Sequence, residues 1–243
     1  MIPIRDVNPT RVRPLVTLAL IAINLFVFLV LQPRDTSGQE FVVAQAAIPC
    51  EITSGDPLSP ADIDAGTCVN NDDEAFFPAK SVSFSVLASM FLHGDLLHLG
   101  FNLWSLWIFG NNIEEAFGRV RYLAMYLISG LAATLGYVVL NPESIVPLVG
   151  ASGAIAGVIG AYLVLFPRHQ ITAYVPPIFV IPLPATFFIL FWFAGQFFIG
   201  SESAVAWQAH VAGFLVGFGI TFLMRSPLRA RLNAIHGPAA RVR

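Results

Sequence analysis

Three stretches of this 243-residue chain carry polar side chains at spacings that could do chemistry. Val149-Gly150-Ala151-Ser152-Gly153-Ala154 opens an apolar run, and small residues continue at Ala156, Gly157, Gly160 and Ala161. A serine hydroxyl is a poor nucleophile until a base takes its proton. Ser152 falls in the first turn of the expected helix, where backbone N–H groups lack partners and the helix dipole is positive. Such donors can hold the oxyanion that a serine attack creates. A base is available in Trp207-Gln208-Ala209-His210-Val211-Ala212-Gly213, and Gly213 with Gly217 lets that helix come close to a small-residue partner. The third stretch is His93-Gly94-Asp95-Leu96-Leu97-His98-Leu99-Gly100-Phe101-Asn102. His98 and Asn102, four apart, share a helix face. His93 would stand about 140° away on a helix of 3.6 residues per turn.

Each stretch also has a plainer reading. The glycines and alanines around Ser152 make a small-residue packing face in which a serine is one more small side chain, and His98 with Asn102 makes a hydrogen-bonded pair between membrane helices. Histidines spread over two helices could ligate a haem or a metal. The H-E-x-x-H pattern of zinc proteases is missing, because no glutamate lies between histidines at i and i+4.

The elements that must position these residues are set by the solvent they face. Hydrophobic residues make up 56% of the chain and charged ones 12%, against about 25% charged in soluble domains. The mean hydropathy is +0.72. So few charges could hardly cover a water-soluble surface, and no basic stripe suggests nucleic acid. Six apolar runs, near 14–31, 84–109, 120–140, 150–166, 176–199 and 205–224, approach the ~20 residues that cross a bilayer. With a cytoplasmic N-terminus, Arg5, Arg11, Arg13, Arg119, Arg121, Arg168, Arg225, Arg229, Arg231, Arg241 and Arg243 fall inside. Only Arg34 and Lys80 fall outside. The positive-inside rule then places both termini in the cytoplasm, which requires an even number of spans. The first run is at the long limit for a signal-peptide core, and 34–40 separates it from the Ala44-Gln45-Ala46 site, so a retained anchor is the better reading. The expected organisation is a cytoplasmic segment 1–13, a six-helix membrane domain 14–224, and a cytoplasmic tail 225–243, without internal repeats.

Residues 32–80 form the one sizeable outside loop. It is acidic, with Asp35, Glu40, Glu51, Asp56, Asp62, Asp64, Asp72, Asp73 and Glu74, and it holds both cysteines, Cys50 and Cys68. On an oxidising face the pair reads as a disulfide in preference to a metal or redox site. The acids read as a solvated loop, with a weak calcium site as the alternative.

In this order, and on spans of this orientation, the three stretches resemble the rhomboid proteases. Residues 110–121, with Glu114, Gly118 and Arg119, also resemble that family's cytoplasmic loop and third helix, and the likeness covers about 81–224. The resemblance implies an all-α membrane protein, a six-transmembrane-helix bundle working through a Ser–His dyad, with no cofactor and no metal. Ser152 would be the nucleophile and His210 the base and then the acid. The Ser152 backbone N–H, His98 and Asn102 would form the oxyanion hole, with His93, Gly150 and Gly153 in support. Phe101, Phe191 and Trp192 are the candidate gate through which a substrate helix enters. Partners would be transmembrane protein substrates and the lipid bilayer, and neither nucleic acid nor a metal. The site would open on the outer side of what is expected to be a bacterial cytoplasmic membrane.

Three departures from the family pattern stand out. Phe84-Ser85 occupies the place of a common Trp-Arg, the outside loop is long, and Ala156 replaces the usual aromatic four residues after the serine. Something else must support His210, with Trp207 or a neighbour as the candidate. A non-catalytic binder of membrane helices is the alternative function. A small transporter or channel would call for charged or repeated elements along a path, and none is evident.

Overall fold

The structure, a computed structural model, describes residues 1–34, 37–69, 74–177, 179–200 and 205–237. Asp35, Asp72, Asp73, Arg241 and Arg243 lie outside the described residues, as does 201–204 of the last outer loop.

Helices dominate. The first apolar run folds as α1 (Leu15–Phe26), which continues through a π-type turn (Val27–Leu31). Three short helices follow in the outer loop: α2 (Ser37–Gln45), α3 (Pro49–Ser54) and α4 (Pro60–Ala65). The rest of the bundle comprises α5 (Val82–Ala88), α6 (Leu96–Phe117), α7 (Arg119–Leu140), α8 (Ser152–Leu165), α9 (Ala185–Gln196) and α10 (Trp207–Leu223). α11 (Arg225–His236) is an amphipathic helix bent 72° from α10. Among the described residues, α7 alone is long and apolar enough to cross a membrane, or three spans if the bent pairs Val82–Phe91 with Leu96–Phe117 and Trp207–Leu223 with Arg225–His236 each count as one. Leu15–Leu31, α8 and α9 are shorter apolar helices.

The all-α expectation is corrected by a small antiparallel sheet. Strand β1 (Ile2–Asp6) pairs with β2 (Gln170–Val175), and β2 pairs with β3 (Phe179–Pro184). The first half of the fifth run is therefore strand, and its helix begins only at Ala185. Pro182 and Pro184 explain this, since proline cannot donate within a helix and is tolerated at strand edges. The second run also differs. It breaks at residues 92–95, where Asp95 accepts a hydrogen bond from the His98 N–H and caps α6. At its other end α6 runs through Asn111, Asn112, Glu114 and Glu115, residues expected in a loop.

α8 sits at the centre. Residues 153–162 are all buried, so it is apolar all round, as a core helix must be. Its most extensive contact is with α10. A Cβ on Gly213 would fall on the Gly153 carbonyl oxygen, and one on Gly217 on the Gly157 carbonyl oxygen. Only glycine permits this approach.

Each end of the bundle has its own fastening. At one end Glu114 accepts from the N–H groups of Val16 and Thr17, the unpaired donors of the first turn of α1. Glu115 accepts from the Arg11 and Val12 N–H groups and pairs with His236 at 2.6 Å. At the other end Cys50 and Cys68 are bonded, with Cα atoms 5.5 Å apart. The Cys50 and Cys68 N–H groups donate to the carbonyls of Ser144 and Glu143, which fastens the outer loop to the segment before α8. The outer loop is only partly solvated. Glu40, Asp56, Asp64 and Glu74 are exposed, but Asp62 is buried in the cap of α4, and buried Glu51 forms an ion pair with Lys80. Lys80 also donates to the Val43 carbonyl.

Burial pushes the Asp6 carboxyl up from 3.8 to about 6, although it accepts from the Asn8 N–H and the Asn112 amide. The folded protein therefore holds that proton more tightly than the unfolded chain. This contribution to stability is present at low pH and is lost as pH rises through about 6. Asp6→Asn cannot ionise. Its melting temperature relative to wild type should rise between pH 4.5 and pH 7.5, and a constant difference across that range would contradict the assignment.

Candidate active site

The hydroxyl of Ser152 lies at the start of α8, the imidazole of His210 in the first turn of α10. The tight contact lower down sets these two helix ends side by side, and Ser152 Oγ is 2.8 Å from His210 Nε2. Both line a cavity of about 980 Å3 shared with His98, Asn102, Gly150, Gly153, Phe101 and Trp192.

His98 stands in the first turn of α6. A Cβ on Gly150 would be 2.7 Å from its Nε2 and 3.6 Å from Ser152 Oγ, so the imidazole borders the space beside the hydroxyl. Gly150 has φ +120°, which L side chains rarely adopt, and its N–H donates to the Ser89 carbonyl. That bond and the Leu148 N–H to Ala47 carbonyl bond hold the segment that delivers Ser152. Asn102 is on the same face of α6, with its amide donating to the His98 carbonyl. The first turn of α8, His98 and Asn102 border the same cavity as the hydroxyl, and these are residue types that can donate to a negatively charged oxygen.

His93 is not on α6, contrary to the helical spacing expected of it. It precedes the cap, fully buried, with its ring 5.1 Å from that of His98 and 6.5 Å from Phe28. Its peptide is gripped by Gln32, whose amide donates to the His93 carbonyl and whose oxygen accepts from the His93 N–H. The side chain packs behind His98. Of the candidate gate residues, Phe101 and Trp192 border the cavity, whereas Phe191 is exposed on the outer face of α9.

Two residues on α9 support His210. The Gln196 Oε1 is 2.8 Å from His210 Nδ1, and the Trp192 ring lies 6.2 Å from the imidazole at 32°. Trp207, expected in this role, packs on Phe197 instead. Gln196 went unnoticed in the sequence, although a lone glutamine ending an aromatic run was the available signal. Ala156 is fully buried within α8. Among the described residues, the one cluster of potential metal-ligating side chains is Cys50, Asp62 and Cys68, where the two sulfurs are bonded to each other.

Residues 81–227 match the Rhomboid domain family, which covers more than half of the chain. The chain belongs to the rhomboid family. It is 32% identical over 142 residues to Rhomboid protein 1, mitochondrial, of Saccharomyces cerevisiae, a match spanning 55% of this chain and 39% of the yeast protein. It is 34% identical over 140 residues to the putative rhomboid protease YdcA of Bacillus subtilis, spanning 57% of this chain and 65% of that one. Rhomboid protease GluP of the same organism is 34% identical over 105 residues, or 40% of this chain and 20% of its own length. The match thus spans about two fifths of the yeast relative and less than two thirds of YdcA. Rhomboid proteins are membrane proteins, some of them mitochondrial.

Gly150→Ala would force a methyl group against His98 and strain the backbone by roughly 1–3 kcal/mol. Labelling of Ser152 by a fluorophosphonate should slow about tenfold or more while the protein stays folded. Labelling of a folded variant at the wild-type rate would show that the approach of His98 to this site is not needed.

Proposed function

We propose that this rhomboid is an intramembrane serine endopeptidase, with Ser152 as nucleophile and His210 as base. The observation that carries the reading is the 2.8 Å contact between Ser152 Oγ and His210 Nε2 inside a polar cavity of a largely apolar bundle. Attack of Oγ on a peptide carbonyl passes the hydroxyl proton to Nε2, and the oxyanion is held by the Ser152 N–H, His98 and Asn102. His210 then protonates the departing amine. A water entering through the cavity repeats the sequence on the acyl-enzyme and regenerates Ser152.

In this reading six helices span the bilayer: Leu15–Leu31, α6, α7, α8, α9 and α10. The arrangement of charge supports one orientation. Arg11 donates to the Ile235 carbonyl, Arg231 to that of Glu115 and Arg229 to that of Val164, so these basic residues gather at the end away from Ser152. That end would be cytoplasmic, and the cavity would open on the other side, in a bacterial cytoplasmic membrane. α8, with 14 residues, is about 21 Å long and shorter than the ~30 Å hydrocarbon layer. Its first residue would then lie below the outer surface, at the floor of a water-filled recess. The substrate would be a transmembrane segment of another protein, locally unwound to expose its carbonyl. Phe101, Trp192 and Phe191 would flank its route between α6 and α9.

Purified protein in liposomes should cleave a generic transmembrane substrate, and Ser152→Ala and His210→Ala should each lower the rate by about 10³-fold or more. Cleavage by either folded variant at the wild-type rate would refute the dyad. A wild type that captures membrane helices without cutting them, and resists serine-directed probes, would favour the helix-binding alternative. Trp192→Ala should change kcat/KM on the same substrate several-fold, on the order of 1 kcal/mol in the barrier. An unchanged value would remove Trp192 from the substrate route.

A further inference from the structure

His210 has two ring nitrogens, and only one protonation pattern lets it act as a base toward Ser152. Nε2 must offer a lone pair to the hydroxyl, which leaves the proton of the neutral ring on Nδ1. Nδ1 faces Gln196 Oε1 at 2.8 Å, and an amide oxygen can only accept. The orientation of the amide is itself fixed, because its nitrogen donates to the Trp192 carbonyl at 3.2 Å. Turning the amide over would set two oxygens against each other and lose that bond. The chain is therefore ordered: the Trp192 carbonyl accepts from Gln196 Nε2, Gln196 Oε1 accepts from His210 Nδ1–H, and His210 Nε2 accepts from Ser152 Oγ–H.

Gln196 is 6% exposed, so water does not compete freely for its amide. No carboxylate hydrogen-bonds to His210 among the described residues. A neutral amide suits this place, since an unpaired carboxylate in an apolar bundle would carry a desolvation penalty of several kcal/mol.

We propose that Gln196 is the positioning residue of the base: by accepting from Nδ1–H it fixes the tautomer and ring angle of His210 and makes the pair a Ser152–His210–Gln196 array. This rests on the Ser–His reading above. In the reaction the serine proton moves to Nε2 and later to the leaving nitrogen. The Nδ1 proton stays in its bond to Gln196, which gains and loses none. Residue and base sit on different helices, so the base is aimed by α9 and carried by α10.

Two measurements test this. In wild-type protein selectively labelled with ¹⁵N-histidine in micelles, the resonances lost in His210→Ala should show a neutral ring protonated at Nδ1. Protonation at Nε2 would overturn the proposal without any variant at position 196. Gln196→Met keeps the length of the side chain but lacks the oxygen. It should lower kcat about 10- to 100-fold with KM within about twofold, and the Nδ1–H signature should be lost. A folded Gln196→Met with wild-type kcat would also overturn the proposal, and if that variant does not fold, the wild-type spectrum decides. Full cleavage by Ser152→Ala would sink the dyad instead, and the spectrum would still report separately on Gln196.

Discussion

Everything about this site depends on two helix backbones touching. Where Gly213 and Gly217 of α10 face the carbonyls of Gly153 and Gly157 of α8, no side chain stands between them. In an apolar solvent there is little hydrophobic drive to join two helices, so close packing of the backbones must supply the association. The same contact decides where the ends of the helices go. Ser152 is one residue before Gly153 and His210 one turn before Gly213, so two side chains 58 residues apart meet at hydrogen-bond distance. The geometry of the Ser152–His210 pair is thus a consequence of a packing rule one and three residues away from it.

The second determinant is how the protein deals with charge in a largely apolar body. Buried acids are each satisfied by several donors. Glu114 and Glu115 take up the otherwise unpaired N–H groups of the chain entering α1, and Glu51 is matched by Lys80. The polar groups of the cavity are treated differently. His98, Asn102 and the first turn of α8 border a cavity, where polar groups are costly unless something able to hydrogen-bond occupies it.

Much of this could be read from residue order. The approach of Ser152 and His210 was legible because glycine spacing implies which helix faces meet, and each of the six apolar runs contains a helix, in the expected order. The reading failed where one apolar run hides two kinds of structure. Phe179 to Leu183 is as hydrophobic as a span, and only Pro182 and Pro184 hinted that it was a strand. The break before α6 was similarly encoded in Asp95, a good cap, but the histidine pattern around it drew the helix too far toward the N-terminus. Pairings such as Glu51 with Lys80, Gln32 with His93 and Gln196 with His210 cannot be seen in one dimension, because each joins elements whose approach is set by the rest of the fold.

The sheet has a consequence for the order of assembly. β1 occupies residues 2–6, yet its partner β2 lies at 170–175, so a strand made early has nothing to pair with until four of the six apolar runs have been made. Arg11 and Val12 can bind Glu115 sooner, and His236 joins that carboxylate last of all. During synthesis β1 must therefore wait unpaired until β2 follows it. Its seating against β2 joins residues as far apart as Ile2 and Tyr174, and contacts of such sequence separation form slowly. The edge that lies waiting is also one that another chain could occupy, so prompt completion of the bundle protects the protein as it forms.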